Sequence, residues 1–145
     1  KRVEALAKTL EASTLNISVS IEQELSEISD KNELKEFLFE MGMESTGLEK
    51  LIKTGYDLLG LCTYFTSGPK ETRAWTIPNS TFAPEAAGKI HSDFKKGFIR
   101  AETVSYSDFL TAGGWLKAKE LGNVRSEGKD YLVKDGDIMN FLFSS

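Results

Sequence analysis

Nucleophilic or metal chemistry in this chain would have to be built from one histidine and one cysteine. Cys62 lies in Leu61-Cys62-Thr63-Tyr64-Phe65-Thr66, an apolar, β-prone run, and reads as a buried small hydrophobe rather than a nucleophile. A zinc site draws three or four ligands from Cys, His and carboxylates. His91 has only Asp93 close by, so neither a metal site nor a catalytic residue is expected. Four positions after Ala87, His91 falls beside the apolar face of a helical stretch, where a hydrogen-bonded, partly buried ring is expected. Asp135 and Asp137 flank Gly136. Paired carboxylates do acid–base work only in a cleft that perturbs them, and here a solvated turn is expected.

The cations are more informative. Lys89, Lys95, Lys96 and Arg100 crowd one short stretch, Lys70 and Arg73 precede it, and Tyr64, Phe65 and Trp75 are interleaved. Lysines and arginines hold RNA phosphates while aromatic rings stack on unpaired bases. Arg73, Lys89, Lys95, Lys96 and Arg100 are therefore candidate phosphate contacts; the alternative is a solvated face around buried aromatics. The formal charge is −4 overall. Residues 1–59 hold 7 Lys/Arg against 12 Asp/Glu, and residues 60–145 hold 11 against 10. A polyanion would thus meet a local patch rather than a basic protein.

Hydrophobic spacing shows what must position these groups. Val3, Leu6, Ala7 and Leu10 recur at helical spacing without a visible N-cap, as if the chain started in mid-structure. Leu15 to Val19 alternates like a short strand. Ser20 is placed to cap a helix carrying Ile21, Leu25 and Ile28 on one face. A third helix runs from Glu33 to Gly42 with Leu34, Phe37, Leu38 and Met41 on one face. Thr46 can cap a fourth from Gly47 to Leu59, with Leu48, Leu51, Ile52, Tyr56 and Leu59 expected inward. At Gly60 the period changes. Two β-prone arms, 61–66 and 72–77, flank turn chemistry at Ser67-Gly68-Pro69-Lys70. Then comes one helix in the stretch from Ala83 to Lys96, with Pro84 at its first helical position, Ala86, Ile90 and Phe94 on one face, and Gly97 as a left-handed stop. Strand-like runs follow at 99–104, at Arg125, at 131–133 and at 137–143, and a looser helical stretch at 106–121 is broken by Gly113-Gly114. A hairpin, a crossing helix and further strands on one sheet make an α+β order of the β-grasp kind, preceded by a mostly helical piece, with the boundary near residue 59.

No apolar run approaches the ~20 residues of a membrane helix, and the first residues are not those of a secretory leader. A single cysteine excludes an internal disulfide and suits a reducing compartment.

Long runs carry a family resemblance. Thr63 to Ile77 (Thr-Tyr-Phe-Thr-Ser-Gly-Pro-Lys-Glu-Thr-Arg-Ala-Trp-Thr-Ile) and Ala86 to Glu102 (Ala-Ala-Gly-Lys-Ile-His-Ser-Asp-Phe-Lys-Lys-Gly-Phe-Ile-Arg-Ala-Glu) look like the TGS domain of the YchF (EngD, Obg-like ATPase) family, and Glu127 to Phe141 resembles that family's C-terminus. The resemblance implies a ubiquitin-like β-grasp TGS domain over 60–145. It implies that 1–59 is the helix–strand–helix end of a P-loop nucleotide-binding domain, over Lys1 to about Ile28, plus connecting helices. Ser18-Val19-Ser20 aligns with the loop that lines the nucleotide base. The family's usual Ser-Ala-Lys is kept only at Ser18, which leaves a backbone N–H role beside the plain one of strand-end and cap residues. The parent would be a cytoplasmic, ribosome- or RNA-associated ATPase, with GTP as the other candidate nucleotide, carrying Mg²⁺ and upstream P-loop and coiled-coil domains. The chain contains no Gly-x-x-x-x-Gly-Lys-Ser/Thr, so by itself it is expected neither to bind Mg²⁺–nucleotide tightly nor to hydrolyse it. The alternative implied role for 60–145 is an intramolecular lid on the nucleotide-binding domain, without RNA contact.

Overall fold

A computed structural model describes residues 2–144; Lys1 and Ser145 lie outside the described residues. The chain is mixed α+β and divides into two compact units, Lys1–Leu58 and Leu59–Ser145.

The first unit holds four helices: α1 (Arg2–Thr9), α2 (Val19–Glu27), α3 (Lys31–Glu40) and α4 (Gly47–Leu59), whose last residue opens the second unit. The strand expected at Leu15–Val19 is not formed. Backbone groups of a strand must be paired, and the described residues of this unit contain no second strand. Instead Ser18 precedes α2 as its N-cap, and its hydroxyl makes no cap bond; Ser20, the expected cap, lies inside the helix. Asp30 caps α3, accepting from the amides of Asn32 and Glu33 at 2.8 and 3.0 Å, bonds that hold its carboxyl below the usual range. Thr46 and Glu49 form a reciprocal capping box at the start of α4, each accepting the other's amide at 3.1 Å. The Glu22 carboxylate also reaches that end, accepting from Gly47 at 2.6 Å and Leu48 at 3.3 Å, where the helix dipole favours an anion. A Cβ on Gly47 would come within 2.7 Å of Glu22 Oε1, so glycine makes this approach possible. Helical spacing located α4 correctly, but Leu48, Leu51, Ile52 and Leu59 are each at least half exposed rather than inward. An apolar stripe requires a cover to become core, and the stripe does not encode the cover.

The second unit is built on a five-stranded sheet. β1 (Leu61–Ser67) and β2 (Thr72–Pro78) form the expected hairpin. After α5 (Ala83–Ile90) and α6 (Ser92–Lys96) come β3 (Phe98–Ser105), α7 (Tyr106–Ala112), α8 (Trp115–Glu120), β4 (Arg125–Glu127) and β5 (Asp137–Phe143). The strand order is β2-β1-β5-β3-β4, with β5 parallel to β1 and antiparallel to β3. Residues 131–133 contribute a single bridge, Phe82 to Leu132, rather than a strand.

Alternation along the strands sends side chains to two cores. Cys62, Tyr64, Met139 and Phe141 pack with Ala83, Ala86 and Ala87 of α5, while Val104 and Ile138 pack with Ala112 and Ala118 of α7 and α8. The Tyr64 hydroxyl donates to the Ala86 carbonyl at 2.8 Å, fixing α5 to β1, and burial pushes its phenol above the ordinary range. Trp115 Nε1 donates to the Ser67 carbonyl at 2.8 Å and ties the hairpin to α8.

The helix expected over Ala83–Lys96 is two. His91 is extended (φ −158°, ψ 143°), and its Nδ1 accepts from the Asp93 amide at 3.2 Å, so the side chain caps α6 instead of continuing α5. The ring is hydrogen-bonded as expected but exposed rather than partly buried. Ile90 and Phe94 still reach the same core, and Phe94 stacks on Phe143 at 4.0 Å. Gly97 is not a left-handed stop; its φ is −89°. Its role is close approach, since a Cβ there would strike the backbone of Ser144.

Candidate nucleic-acid interface

Lys89 lies in the last turn of α5, and Lys95 and Lys96 end α6. The break at His91 leaves all three on one open groove with a volume near 990 Å³. Its other walls are the end of β2 at Ile77 and Pro78, the turn Asn79–Thr81, Phe82, and the outer side of α5. The turn is anchored where the Asn79 amide donates to the Gly60 carbonyl at 2.6 Å. Lys95 crosses Gly88, where a Cβ would sit 3.0 Å from its own Cβ, and its ammonium lies 3.3 Å from Glu85 Oε1. Among the described residues, Lys89 and Lys96 have no carboxylate partner. Two uncompensated ammonium groups at one groove give a local positive field on an acidic chain.

The two arginines do not join them. Arg73 stands on β2 with its guanidinium 4.5 Å above the Trp75 ring. Arg100 lies beyond a bulge on β3, on the sheet face of Glu102, where it reaches Ser126 Oγ at 3.4 Å. That face packs α7 and α8, so alternation turns Arg100 away from α5 and α6. Ser18, Val19 and Ser20 belong to the first unit; Ser18 and Ser20 hydroxyls are 3.2 Å apart at the start of α2.

The interleaved aromatics are occupied. Tyr64 is fully buried, Phe65 packs in the α7–α8 core, and Trp75 is half-buried with its Nε1 donating to Thr66 Oγ1 at 2.9 Å. The aromatic that does line the groove is Phe82, which sequence reasoning passed over. Its signal was its place between the hairpin and Pro84, a loop position without the alternation that marks a buried ring.

Asp137 also departs from expectation. It is 3% exposed, not a solvated turn residue. Its Oδ2 accepts from the Tyr131 hydroxyl at 2.7 Å and the Lys134 amide at 2.9 Å; Arg125 donates to the same hydroxyl at 3.0 Å and comes within 3.5 Å of Asp137 Oδ1. Burial and the bond to Asp137 push the Tyr131 phenol above its usual range. The group is fully satisfied and closes the turn into β5, which is a structural role. Cys62 is buried as expected, and burial raises its thiol above its ordinary range. Among the described residues, no three His, Cys, Asp or Glu side chains are grouped to hold a metal, and no helix is long and apolar enough to cross a membrane.

A family model, YchF-GTPase_C, described as a protein of unknown function (DUF933), matches residues 61–144. The chain is 56% identical over 128 residues to the ribosome-binding ATPase YchF of Escherichia coli O157:H7, covering 88% of this chain and 35% of that protein. It is 52% identical over 133 residues to that of Bacillus subtilis (strain 168), covering 92% and 36%. Among solved structures it is similar to the Schizosaccharomyces pombe YchF GTPase, with a TM-score of 0.74 and 32% identity over 98% of this chain and 38% of that one. A GTP binding protein from Pyrococcus horikoshii OT3, 17% identical with a TM-score of 0.63, shares the fold over 99% of this chain and 41% of its own. The chain thus spans little more than a third of the length of the relatives it matches.

Proposed function

The chain belongs to the YchF GTPase family, and from that premise we propose that it is the C-terminal region of a cytoplasmic, ribosome-associated P-loop ATPase. In this reading residues 60–145 act as a TGS domain of β-grasp fold that holds the parent on RNA. The hairpin, the helix α5 and the parallel pairing of the first and last strands support the β-grasp reading. The observation that carries the RNA reading is the convergence of Lys89, Lys95 and Lys96 on one groove of an acidic chain. Neutralising backbone phosphates releases counterions, which supplies sequence-independent affinity.

The residues present do not fit a Mg²⁺–nucleotide site. There is no phosphate-loop motif, and the described residues contain no metal-holding cluster. Binding of ATP, or GTP, with Mg²⁺ is therefore assigned to upstream P-loop residues of the parent. Residues 1 to about 28 complete that domain, with Ser18-Val19-Ser20 offering backbone N–H groups near the base; the rest of 1–59 supplies connecting helices, and a coiled-coil domain lies upstream.

The test is Lys89→Glu with Lys96→Glu in the full-length protein, read by ribosome co-sedimentation across a salt series. The expected result is a loss of at least about tenfold and a salt dependence shallower by roughly 0.7–0.9 per lysine. Unchanged binding and slope refute the reading. A second reading, the intramolecular lid, is favoured by the exposed Leu110, Leu116 and Leu121 on α7, α8 and the turn after them. Deleting residues 60–145 separates the two: an altered ATPase rate with intact ribosome binding supports the lid.

A further inference from the structure

Phe82 is 43% exposed, yet its backbone is held from both sides. It bridges Leu132, the Ala83 amide donates to the Tyr131 carbonyl at 2.9 Å, and the Thr81 carbonyl accepts from Val133 at 3.0 Å. The ring is thus presented from a fixed frame at the start of α5, not from a loose loop. A lone exposed hydrophobe is ordinary. This one shares a groove with three lysines, two of them without a carboxylate partner among the described residues. A flat apolar face beside cations is the combination that binds single-stranded nucleic acid, with the base on the ring and the flanking phosphates on the ammonium groups.

We propose that Phe82 is the stacking platform for an unpaired base of a single-stranded RNA segment lying in this groove, with Lys89 and Lys96 on the flanking phosphates. This rests on the RNA-binding reading above and goes further, naming the strand state and the base contact. Lys95 contributes less, because Glu85 already holds it at 3.3 Å. A duplex keeps its bases stacked on one another and offers the ring no free face. An acidic peptide would meet the same lysines, but it would gain from Phe82 only apolar area, which leucine supplies equally well.

That last difference sets the experiment. Full-length protein is titrated into a fluorescein-labelled single-stranded oligoadenylate and, separately, a labelled blunt RNA duplex, each by fluorescence anisotropy over a salt series. Phe82→Leu is expected to weaken single-strand binding by about fivefold to twentyfold with its salt slope unchanged, and Phe82→Trp to restore it. Lys96→Gln is expected to flatten the single-strand slope by about 0.7. Duplex affinity should follow the lysine variant but not Phe82→Leu; because an unfolded variant would lose both ligands, the duplex also reports on the fold. If Phe82→Leu binds the single strand normally while Lys96→Gln does not, the base contact is overturned and the RNA reading stands. If neither variant changes binding of either RNA, both fall. If Phe82→Leu keeps both single-strand affinity and ribosome co-sedimentation, while Lys96→Gln loses co-sedimentation with its RNA affinities unchanged, the groove holds a protein and the proposal is overturned.

Discussion

The Ser144 amide donates to the Gly97 carbonyl at 2.8 Å, and this bond brings the last described residue against the turn between α6 and β3. The approach is so close that a Cβ at position 97 would fall on the Ser144 carbonyl. Gly97→Ala must therefore displace the end of β5, where Phe143 stacks on Phe94 of α6. It is expected to cost about 1–3 kcal/mol, read as a lower midpoint in urea or thermal unfolding. Gly128→Ala, where nothing lies within 4 Å and φ is not left-handed, is the control and should stay within about 0.5 kcal/mol.

Gly55 predicts the opposite sign. It lies in the interior of α4, and nothing lies within 4 Å of where its Cβ would be. Gly55→Ala should stabilise the helical unit by about 0.5–1 kcal/mol, because alanine loses less backbone freedom on folding. A higher thermal midpoint is the expected readout, and a lower one would contradict the open surroundings.

The buried Asp137 couples Tyr131 to the turn before β5. Tyr131→Phe removes one hydroxyl and should cost about 1–2 kcal/mol. Asp137→Ala leaves the Tyr131 hydroxyl and the Lys134 amide without their acceptor, while Arg125 keeps Glu127, for about 2–3 kcal/mol. The double variant should cost less than the two single changes combined, because they share one bond. Strict additivity in the cycle would mean that the bond does not contribute.

Glu102 makes stability depend on pH. Hydrogen bonds from Lys119 and Asn140 hold its carboxyl below the usual range, and the Lys119 ammonium lies 2.9 Å away. A folded-state pKa below the unfolded one means that the contribution is complete above the ordinary carboxylate range and is lost as pH falls through the depressed folded value. Unfolding of wild type and Glu102→Gln should therefore differ most near neutral pH and draw together as pH falls below the ordinary carboxylate range. A gap that widens on acidification would reverse the assigned sign.

Local sequence settled the elements wherever local physics sufficed. The hairpin between Leu61 and Pro78 follows from β-prone arms around Gly68-Pro69, and α4 follows from Thr46, Glu49 and its apolar stripe. The glycines at 113 and 114, both at positive φ, separate α7 from α8 as their backbone freedom suggests. The three lysines of the groove were legible because they share one short stretch. Sheet topology decided the rest. Whether Arg100 joins the lysines depends on which face β3 turns to α5, a matter of register and of one bulge. Whether Trp75 or Phe82 is free depends on what packs across the sheet, and whether Asp137 is solvated depends on Tyr131 and Arg125 folding over it. Periodicity, turns and the Thr46 cap were legible locally, because those interactions span a few residues, whereas the cap expected at Ser20 lies inside α2. The break at His91 is also local, a bond from the Asp93 amide that helical spacing does not mark; burial and the need for glycine at 97 came only with the tertiary structure, because each is set by atoms far along the chain.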